Sequence, residues 1–174
     1  MASNTEVIVL GGGCFWCTEA VFKLLKGVIK LDPGYAGGTT NNPKYWDVAG
    51  GATGHAEVIR VEYDPDIVPL EKLLEVFFSS HDPTTPNQDG ANFGTEYRSL
   101  ILYTSAQQKE AINKFIDKIR GDFAKPIVTE VKKLDKFYPA EEDHKDFYKK
   151  NPAQPYCIFV IRPKVDKIKK EFKL

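Results

Sequence analysis

The N-terminal part of the chain carries a strand pattern followed directly by a helix pattern. Residues 7–10 form a short, β-branched apolar run that three glycines end, which predicts a buried strand and then a tight turn. Residues 18–26 place apolar side chains at helical spacing, and Gly27 follows them as a C-cap. Cys14 and Cys17 therefore lie at a predicted strand-to-helix corner.

Period-two and helical patterns alternate along the rest of the chain. Residues 57–63 alternate apolar and charged side chains, which predicts a half-solvated strand, and residues 70–80 and 105–120 predict amphipathic helices. The remaining predictions are strands at 28–31, 97–103 and 127–132, loops at 33–43 and 83–94, a short acidic helix at 140–149, a proline-interrupted stretch at 151–155, and a last apolar run at 156–161 that favours a strand over a flexible tail. This order predicts an α+β fold, with helices on one face of a mostly antiparallel sheet of the split-βαβ type and an irregular C-terminal segment.

Composition limits the size of the fold and its partners. The chain has 174 residues, 42% of them hydrophobic, which is enough for one compact domain over residues 1–174. Lys plus Arg and Asp plus Glu each number 24, so no net charge attracts nucleic acid or an anionic membrane. Residues 1–10 have neither the basic segment nor the long apolar stretch of a signal peptide. We therefore expect a cytoplasmic protein, in which thiols stay reduced and structural disulfides are rare.

Two binding functions fit the region around Cys14 poorly. A dinucleotide-binding turn needs a third glycine where this chain has Trp16, whose side chain would block a pyrophosphate. A structural zinc site needs about four ligands, whereas Cys157 is the one cysteine outside the C-x-x-C pair and the three histidines lack ligand spacing. The glycines are better explained as a sharp turn that leaves Cys14 open at the start of the helix.

A nucleophilic cysteine suits this position better than a ligand. Unpaired backbone N–H groups at a helix N-terminus stabilise a thiolate, and cysteine pKa values there or in C-x-x-C fall to roughly 3.5–7.5. We therefore expect Cys14 to be nucleophilic at neutral pH. Phe15 and Trp16 would form an apolar wall beside its sulfur, although aromatic residues are in general more often ordinary core residues.

A second group of residues supplies candidate proton donors. Glu57, in the stretch GHAE, begins a predicted strand, and in apolar surroundings its pKa would rise so that it donates a proton at neutral pH. A solvent-facing glutamate is an equally good interpretation of the spacing alone. Tyr45, Tyr97 and Tyr156 carry further hydroxyl donors, but among eight tyrosines none stands out unaided.

Seven stretches together resemble one family, the A-type peptide methionine sulfoxide reductases. They occur in the order of the family and cover nearly the whole chain: GCFWCTEAVF (13–22), GYAGG (34–38), NPKYWDV (42–48), TGHAEVIRVEYDP (53–65), FFSSHDPT (77–84), FGTEYRS (93–99) and NPAQPYC (151–157). The resemblance implies an α+β two-layer sandwich with a ferredoxin-like core. It also implies reduction of the S epimer of methionine sulfoxide, free or in proteins, as a repair of oxidative damage.

The resemblance implies a role for each motif residue. Cys14 is the nucleophile, Glu57 the proton donor, and Phe15 and Trp16 the pocket for the substrate methyl group. Tyr45 and Tyr97 hold the sulfoxide oxygen, and Tyr156 joins the substrate site. The reaction leaves Cys14 as a sulfenic acid, which condenses with a second thiol to a disulfide. Thioredoxin, or dithiothreitol in vitro, then reduces the disulfide, and no metal or organic cofactor is expected.

Two residues differ from the pattern of the family. Many relatives carry recycling cysteines in a glycine-rich tail, whereas Cys157 leads into an apolar stretch predicted as a strand, which would restrict its reach. We therefore favour Cys17 over Cys157 as the resolving thiol, since a C-x-x-C pair at a helix start closes as a disulfide; either could instead be a buried structural thiol. Asn92 replaces an aspartate that positions the substrate, and we expect altered binding with activity kept.

Two rival functions predict different chemistry. A thioredoxin-like thiol–disulfide oxidoreductase would share the strand, C-x-x-C and helix order, but leaves GHAE and the tyrosines unexplained. A non-catalytic interaction module would make Cys14 a buried thiol that iodoacetamide leaves unmodified at neutral pH. The expected protein is a monomer whose partners are thioredoxin and oxidised proteins or free methionine sulfoxide.

Overall fold

A computed structural model describes residues 4–174, so the first residues of the proposed 1–174 domain lie outside the described part. The strands are β1 (Glu6–Gly11), β2 (Val28–Ala36), β3 (Ala56–Tyr63), β4 (Gln88–Asp89), β5 (Asn92–Phe93), β6 (Leu100–Tyr103), β7 (Glu130–Lys133) and β8 (Phe137–Pro139). The α-helices are α1 (Phe15–Phe22), α2 (Tyr45–Ala49), α3 (Leu70–Ser80), α4 (Ala106–Ile119), α5 (Phe147–Lys150) and α6 (Arg162–Phe172). Short 3₁₀ turns cover Thr95–Tyr97, Arg120–Asp122 and Glu142–His144, and a π-helical turn covers Cys157–Ile161.

The main sheet has six strands in the order β7-β6-β1-β3-β2-β8. Its neighbours pair antiparallel, except β6 and β7, which are parallel. The series β1-α1-β2-β3-α3-β6 has the β-α-β-β-α-β order of a split βαβ unit. The predicted α+β class is thus confirmed as a mixed six-stranded sheet with helices.

The period of two along β3 decides which side chains meet the helices. Ile59, Val61 and Tyr63 belong to the large cluster that includes residues of α1, α3, α4 and α6, and Glu57 has the same parity along the strand. Val58 belongs to a smaller cluster on the other face. β3 lies between β1 and β2, so this strand is mostly buried instead of half-solvated as predicted. Glu57 consequently points to the helix side of the sheet.

Several predicted boundaries differ from the structure because long-range contacts override local pattern. α1 begins at Phe15 instead of residue 18, and β2 runs on to Ala36 through part of the predicted loop. Gly34 makes that extension possible, since a Cβ there would lie 2.4 Å from the Tyr138 carbonyl oxygen in β8. The predicted loop 83–94 contains the β4–β5 hairpin, Tyr97 lies in a 3₁₀ turn before β6, and the predicted helix 140–149 divides into a 3₁₀ turn and α5. Helix α3 matches the predicted 70–80, and α4 falls inside the predicted 105–120.

The C-terminal segment is helical, so two predictions there are wrong. The apolar run at 156–161, predicted as a strand, forms the π-helical turn Cys157–Ile161 and continues into α6. A short apolar run does not distinguish a buried strand from a buried helix, and here the continuing pattern of Val165 and Ile168 buries α6 against the core. The segment is therefore regular, not irregular.

The turn after β1 gives a stability prediction. Gly13 has a φ of +88°, and a Cβ on it would lie 2.4 Å from Asp89 Oδ2. We expect Gly13→Ala to lower the free energy of unfolding by about 1–3 kcal/mol, because it combines backbone strain with a clash. Gly121→Ala is the matched control, since nothing lies within 4 Å of a Cβ there. Equal urea midpoints for the two variants would contradict the prediction.

Candidate active site

Cys14 caps the N-terminus of helix α1. Its backbone is extended, with φ −63° and ψ 130°, and its carbonyl oxygen accepts hydrogen bonds from Cys17 N at 3.1 Å and Thr18 N at 3.3 Å. The glycine turn from β1 brings the chain into this position, where the first N–H groups of the helix and its dipole favour negative charge. Cys14 is 7% exposed, so its thiol is largely shielded from water.

Glu57 lies at the same helix end as Cys14. Its Oε1 accepts a hydrogen bond from the backbone N of Phe15 at 3.2 Å, and the residue is 2% exposed. Burial raises the pKa of Glu57 to about 8; the Phe15 N–H opposes this rise and the negative charge of Glu96 adds to it. The carboxyl group is therefore protonated at neutral pH, as a proton donor must be.

The pKa values of Cys14 and Cys17 are shifted in opposite directions. Burial, the hydrogen bond to Cys17 and the nearby Glu57 carboxyl raise the pKa of Cys14. This differs from the prediction based on the helix N-terminus alone, because desolvation in the closed site outweighs the helix dipole. The pKa of Cys17 is instead lowered, first by the hydrogen bond from Cys14 and then, against burial, by the charge of Lys164. These shifts favour ionisation of Cys17 over ionisation of Cys14.

Aromatic rings surround the start of α1. Phe15 packs against Tyr35 and His144, with ring centroids 5.7 and 5.3 Å away. Trp16 stacks on Phe147 at 3.6 Å, and its indole N–H donates to His144 Nδ1 at 3.1 Å. Phe15 and Trp16 thus form an apolar wall beside Cys14, and His144 and Phe147 support it from behind.

His144 and Phe147 are site residues that the sequence reasoning missed. They lie more than 120 residues from Trp16, and no local pattern connects them to it. Glu19 in α1 holds their segment, since its Oε1 accepts the backbone N–H of Asp146 at 2.9 Å. A buried glutamate in an apolar helix was the one available signal in the sequence.

Tyr45 and Tyr97 approach the site from α2 and from the turn before β6. Burial raises the pKa of both hydroxyls, and the charge of Glu57 raises it further. The charge of Cys14 also raises the pKa of both hydroxyls, so both stay protonated and remain hydrogen-bond donors. Glu141 positions Tyr45, because its Oε2 accepts the Tyr45 backbone N–H at 3.1 Å.

Asn92 and Tyr156 meet Cys17 instead of Cys14. Asn92 Nδ2 donates to the Tyr156 hydroxyl at 3.1 Å, and that hydroxyl lies 3.7 Å from Cys17 Sγ. Tyr156 also packs edge-on against Trp16 at 5.9 Å. The predicted substrate residue Asn92 therefore acts on the site through Tyr156.

Cys157 lies one layer deeper than the other two cysteines. It is fully buried in the π-helical turn before α6. Burial raises the pKa of Cys157, and the charge of Cys17 raises it further, which makes Cys17 its neighbour in the thiol cluster. All three cysteines are free thiols. Burial and a raised pKa both make Cys157 less reactive than Cys17.

Residues 4–174 contain neither a candidate metal site nor a helix that could span a membrane. That part of the chain has no group of three or more His, Cys, Asp or Glu side chains placed to hold a metal ion. None of its helices is both long and apolar enough to cross a membrane.

Known proteins match this chain along nearly its whole length. The family model for peptide methionine sulfoxide reductase matches residues 6–174. Peptide methionine sulfoxide reductase MsrA of Trichodesmium erythraeum is 50% identical over 169 residues, covering 96% of each chain. The structure of methionine sulfoxide reductase A of Corynebacterium diphtheriae superimposes with a TM-score of 0.85 at 33% identity, over 91% of this chain and 80% of that one. Mxr1 of Saccharomyces cerevisiae in complex with Trx2 has the same fold, with a TM-score of 0.60 at 23% identity over 82% of this chain and 84% of that one.

The matches agree with the geometry at the start of α1. A buried thiol, a protonated carboxyl group and an aromatic wall meet at one helix end, and the relatives that match over the full length are methionine sulfoxide reductases. The chain belongs to the peptide methionine sulfoxide reductase family.

Proposed function

We propose that the methionine sulfoxide reductase activity of this chain acts on the S epimer, free or in proteins, with Cys14 as nucleophile and Glu57 as proton donor. One observation carries the proposal. The buried Glu57 carboxyl accepts the N–H of Phe15, the residue after Cys14, so acid and thiol face the same helix end. A sulfoxide bound there has its sulfur at the thiol and its oxygen at the proton donor.

The chemical step balances within these residues. The Cys14 thiolate attacks the sulfoxide sulfur while Glu57 protonates the oxygen, so charge is neutralised as it develops. The sulfur–oxygen bond of the substrate breaks, and the oxygen ends as the hydroxyl of a Cys14 sulfenic acid. The substrate sulfur gains two electrons to become a thioether, and Cys14 loses two.

Three groups of contacts make the site stereospecific. A sulfoxide sulfur is pyramidal, and its methyl group, oxygen and side chain differ from one another. The apolar wall of Phe15 and Trp16 takes the methyl group, and the hydroxyls of Tyr45 and Tyr97 donate to the oxygen together with Glu57. Fixing these two substituents with sulfur at Cys14 leaves one direction for the rest of the substrate. The site therefore accepts one epimer.

Cys17 is the better resolving thiol for the sulfenic acid. It lies one helical turn after Cys14 in the C-x-x-C pair, and its lowered pKa favours the thiolate that resolution needs. Cys157 is fully buried and has a raised pKa. The Cys17 thiolate attacks Cys14 sulfur, the S–O bond breaks, and the hydroxide leaves as water after taking the proton that Cys17 released. Thioredoxin then reduces the disulfide, a role consistent with the solved complex of Mxr1 with Trx2.

The separated epimers of a blocked methionine sulfoxide test this function. We expect the reduced protein with dithiothreitol to convert the S epimer to thioether and to leave the R epimer unchanged, as measured by chromatography. Cys14→Ser is the control and should form no thioether. Reduction of the R epimer, or equal rates for both epimers, would overturn the stereochemical part. Insulin reduction with no sulfoxide turnover would favour the rival thiol–disulfide oxidoreductase.

A further inference from the structure

A partly buried ion pair lies near the start of α1, and the reaction at Cys14 and Glu57 does not use it. Lys164 Nζ in α6 lies 2.6 Å from Asp89 Oδ2 in β4, and Asp89 is 5% exposed. The other oxygen, Asp89 Oδ1, accepts the backbone N–H of Asp82 at 3.2 Å, so the carboxylate is held at both ends. A buried ion pair is in itself weak evidence of stabilisation, because desolvation cancels most of its attraction. The residues around the Lys164–Asp89 pair therefore indicate the role of its charges.

The neighbours of the pair are the first residues of α1. Asp89 Oδ2 lies against Gly13, where a Cβ would come within 2.4 Å of it, and Gly13 precedes Cys14. The same oxygen binds Lys164, which places the ammonium group close to the start of α1. Directly across the hairpin from Asp89, Asn92 holds the Tyr156 hydroxyl that contacts Cys17 Sγ. The β4–β5 hairpin thus joins the ion pair to the surroundings of Cys17.

The charges around Cys17 act in opposite directions. Lys164 lowers the pKa of Cys17, whereas Asp89 raises it. The effect is mutual, because burial alone would lower the pKa of Lys164 but the Cys17 thiolate and Asp89 outweigh it. The titratable groups that interact with Cys17 are Cys14, Glu57, Asp89, Tyr156, Cys157 and Lys164. His81, after α3, interacts with Asp89 and Lys164, and burial lowers its pKa to about 4, so it is neutral at neutral pH. Lys164 is the cation in this set.

We propose that the Lys164–Asp89 ion pair assists the resolving step. The ammonium group of Lys164 stabilises the Cys17 thiolate, which attacks the oxidised Cys14. The inference rests on the proposed function, in which Cys17 resolves the sulfenic acid. Asp89 holds the ammonium group in place and partly offsets its effect on the pKa of Cys17. The step itself needs no further reagent, since the substrate oxygen leaves Cys14 as water.

The thiolate absorbance of the reduced protein tests the proposal without substrate. In a Cys157→Ser background, which leaves the Cys14–Cys17 pair, we expect Lys164→Met to raise the first apparent pKa of the pair by about one unit. Asp89→Asn should lower it, because the ammonium group then acts without its counter-charge. Lys164→Arg keeps the charge and should restore the native value. Lys167→Met, which removes a lysine bonded to the Ser79 carbonyl one turn along α6, should change nothing.

Disulfide formation after a single turnover gives an independent readout. At a pH below the pKa of Cys17 in both proteins, Lys164→Met should slow the loss of thiols about threefold, because a roughly tenfold loss of thiolate is partly offset by the greater nucleophilicity of a more basic thiolate. Well above the pKa, where Cys17 is ionised in both proteins, the same variant should react faster than the native protein. A purely structural defect slows the reaction at every pH.

Opposite shifts for Lys164→Met and Asp89→Asn support the proposal, and shifts in the same direction, or none, overturn it. If Lys164→Met fails to fold because Asp89 is left as a lone buried charge, Asp89→Asn and Lys164→Arg still decide the question. The titration needs no sulfoxide, so it remains decisive even if the epimer assay fails. Methionine formation with unshifted titration curves would leave the proposed function standing and remove this inference alone.

Discussion

Glu57→Gln is expected to lower kcat for methionine sulfoxide reduction by about 10²–10⁴-fold, the usual contribution of a general acid. Glutamine keeps the size of the side chain and an acceptor for the Phe15 N–H, but it has no proton to give. The measurement is the rate of methionine formation in a single turnover, which excludes the later disulfide steps. Glu62→Gln is the matched control, since Glu62 lies on the same strand and is paired with Arg60. A Glu57→Gln rate within a few fold of the native rate would remove Glu57 as the proton donor.

The pH dependence of the same step gives a second check on Glu57. Since the pKa of Glu57 is raised to about 8, the native rate should fall as the pH rises through that value, and Glu57→Gln should lack this fall. Stability changes in the same direction, because the folded protein holds a proton that the unfolded chain releases. Between about pH 4.5 and about pH 8 the folded protein keeps this proton and the unfolded chain does not. The free energy of unfolding therefore falls as the pH rises through this range. Denaturant titrations should show that Glu57→Gln gains stability over the native protein across this range.

Cys17→Ser is expected to abolish repeated turnover with thioredoxin while one equivalent of methionine per enzyme still forms. The reason is that Cys14 reacts first, and the variant then stops at the sulfenic acid, which dimedone labels. Mass spectrometry of the native protein after one turnover should find the Cys14–Cys17 disulfide. Cys157→Ser is the matched control and should keep turnover with thioredoxin. The reverse result, with turnover lost in Cys157→Ser and kept in Cys17→Ser, would assign resolution to Cys157.

The fold was predictable wherever one segment carries its own pattern. Helix α3 matches the predicted 70–80 because its apolar side chains repeat at helical spacing, and β3 matches within one residue because its side chains alternate. The strand predicted at 156–161 was wrong because the length and composition of this apolar run suit a buried helix as well as a buried strand. The prediction that β3 is half-solvated was also wrong, because burial on both faces depends on β1 and β2 pairing on either side of it.

The candidate site likewise has features that the local sequence predicts and features that depend on distant residues. The glycine turn, the C-x-x-C pair and a glutamate at a strand end are local features, and they indicated Cys14 and Glu57 as reacting groups before any fold was known. The expected low pKa of Cys14 was also a local inference, and it was wrong. The pKa depends on how much water the closed site excludes and on which charges lie near, and both depend on distant parts of the chain.

The sequence by itself determined where Cys14 and Glu57 lie, at a strand-to-helix turn and at the start of a strand, because turns and strand starts depend on neighbours within a few residues. Only the tertiary structure decided their environment. It brought His144 and Phe147 behind Trp16, buried Glu57 so that its carboxyl keeps its proton, and paired Lys164 of the last helix with Asp89 near the start of α1, where its charge lowers the pKa of Cys17. Burial and electrostatic attraction act through space, and the residues that supply them here are up to 147 positions apart, as with Cys17 and Lys164.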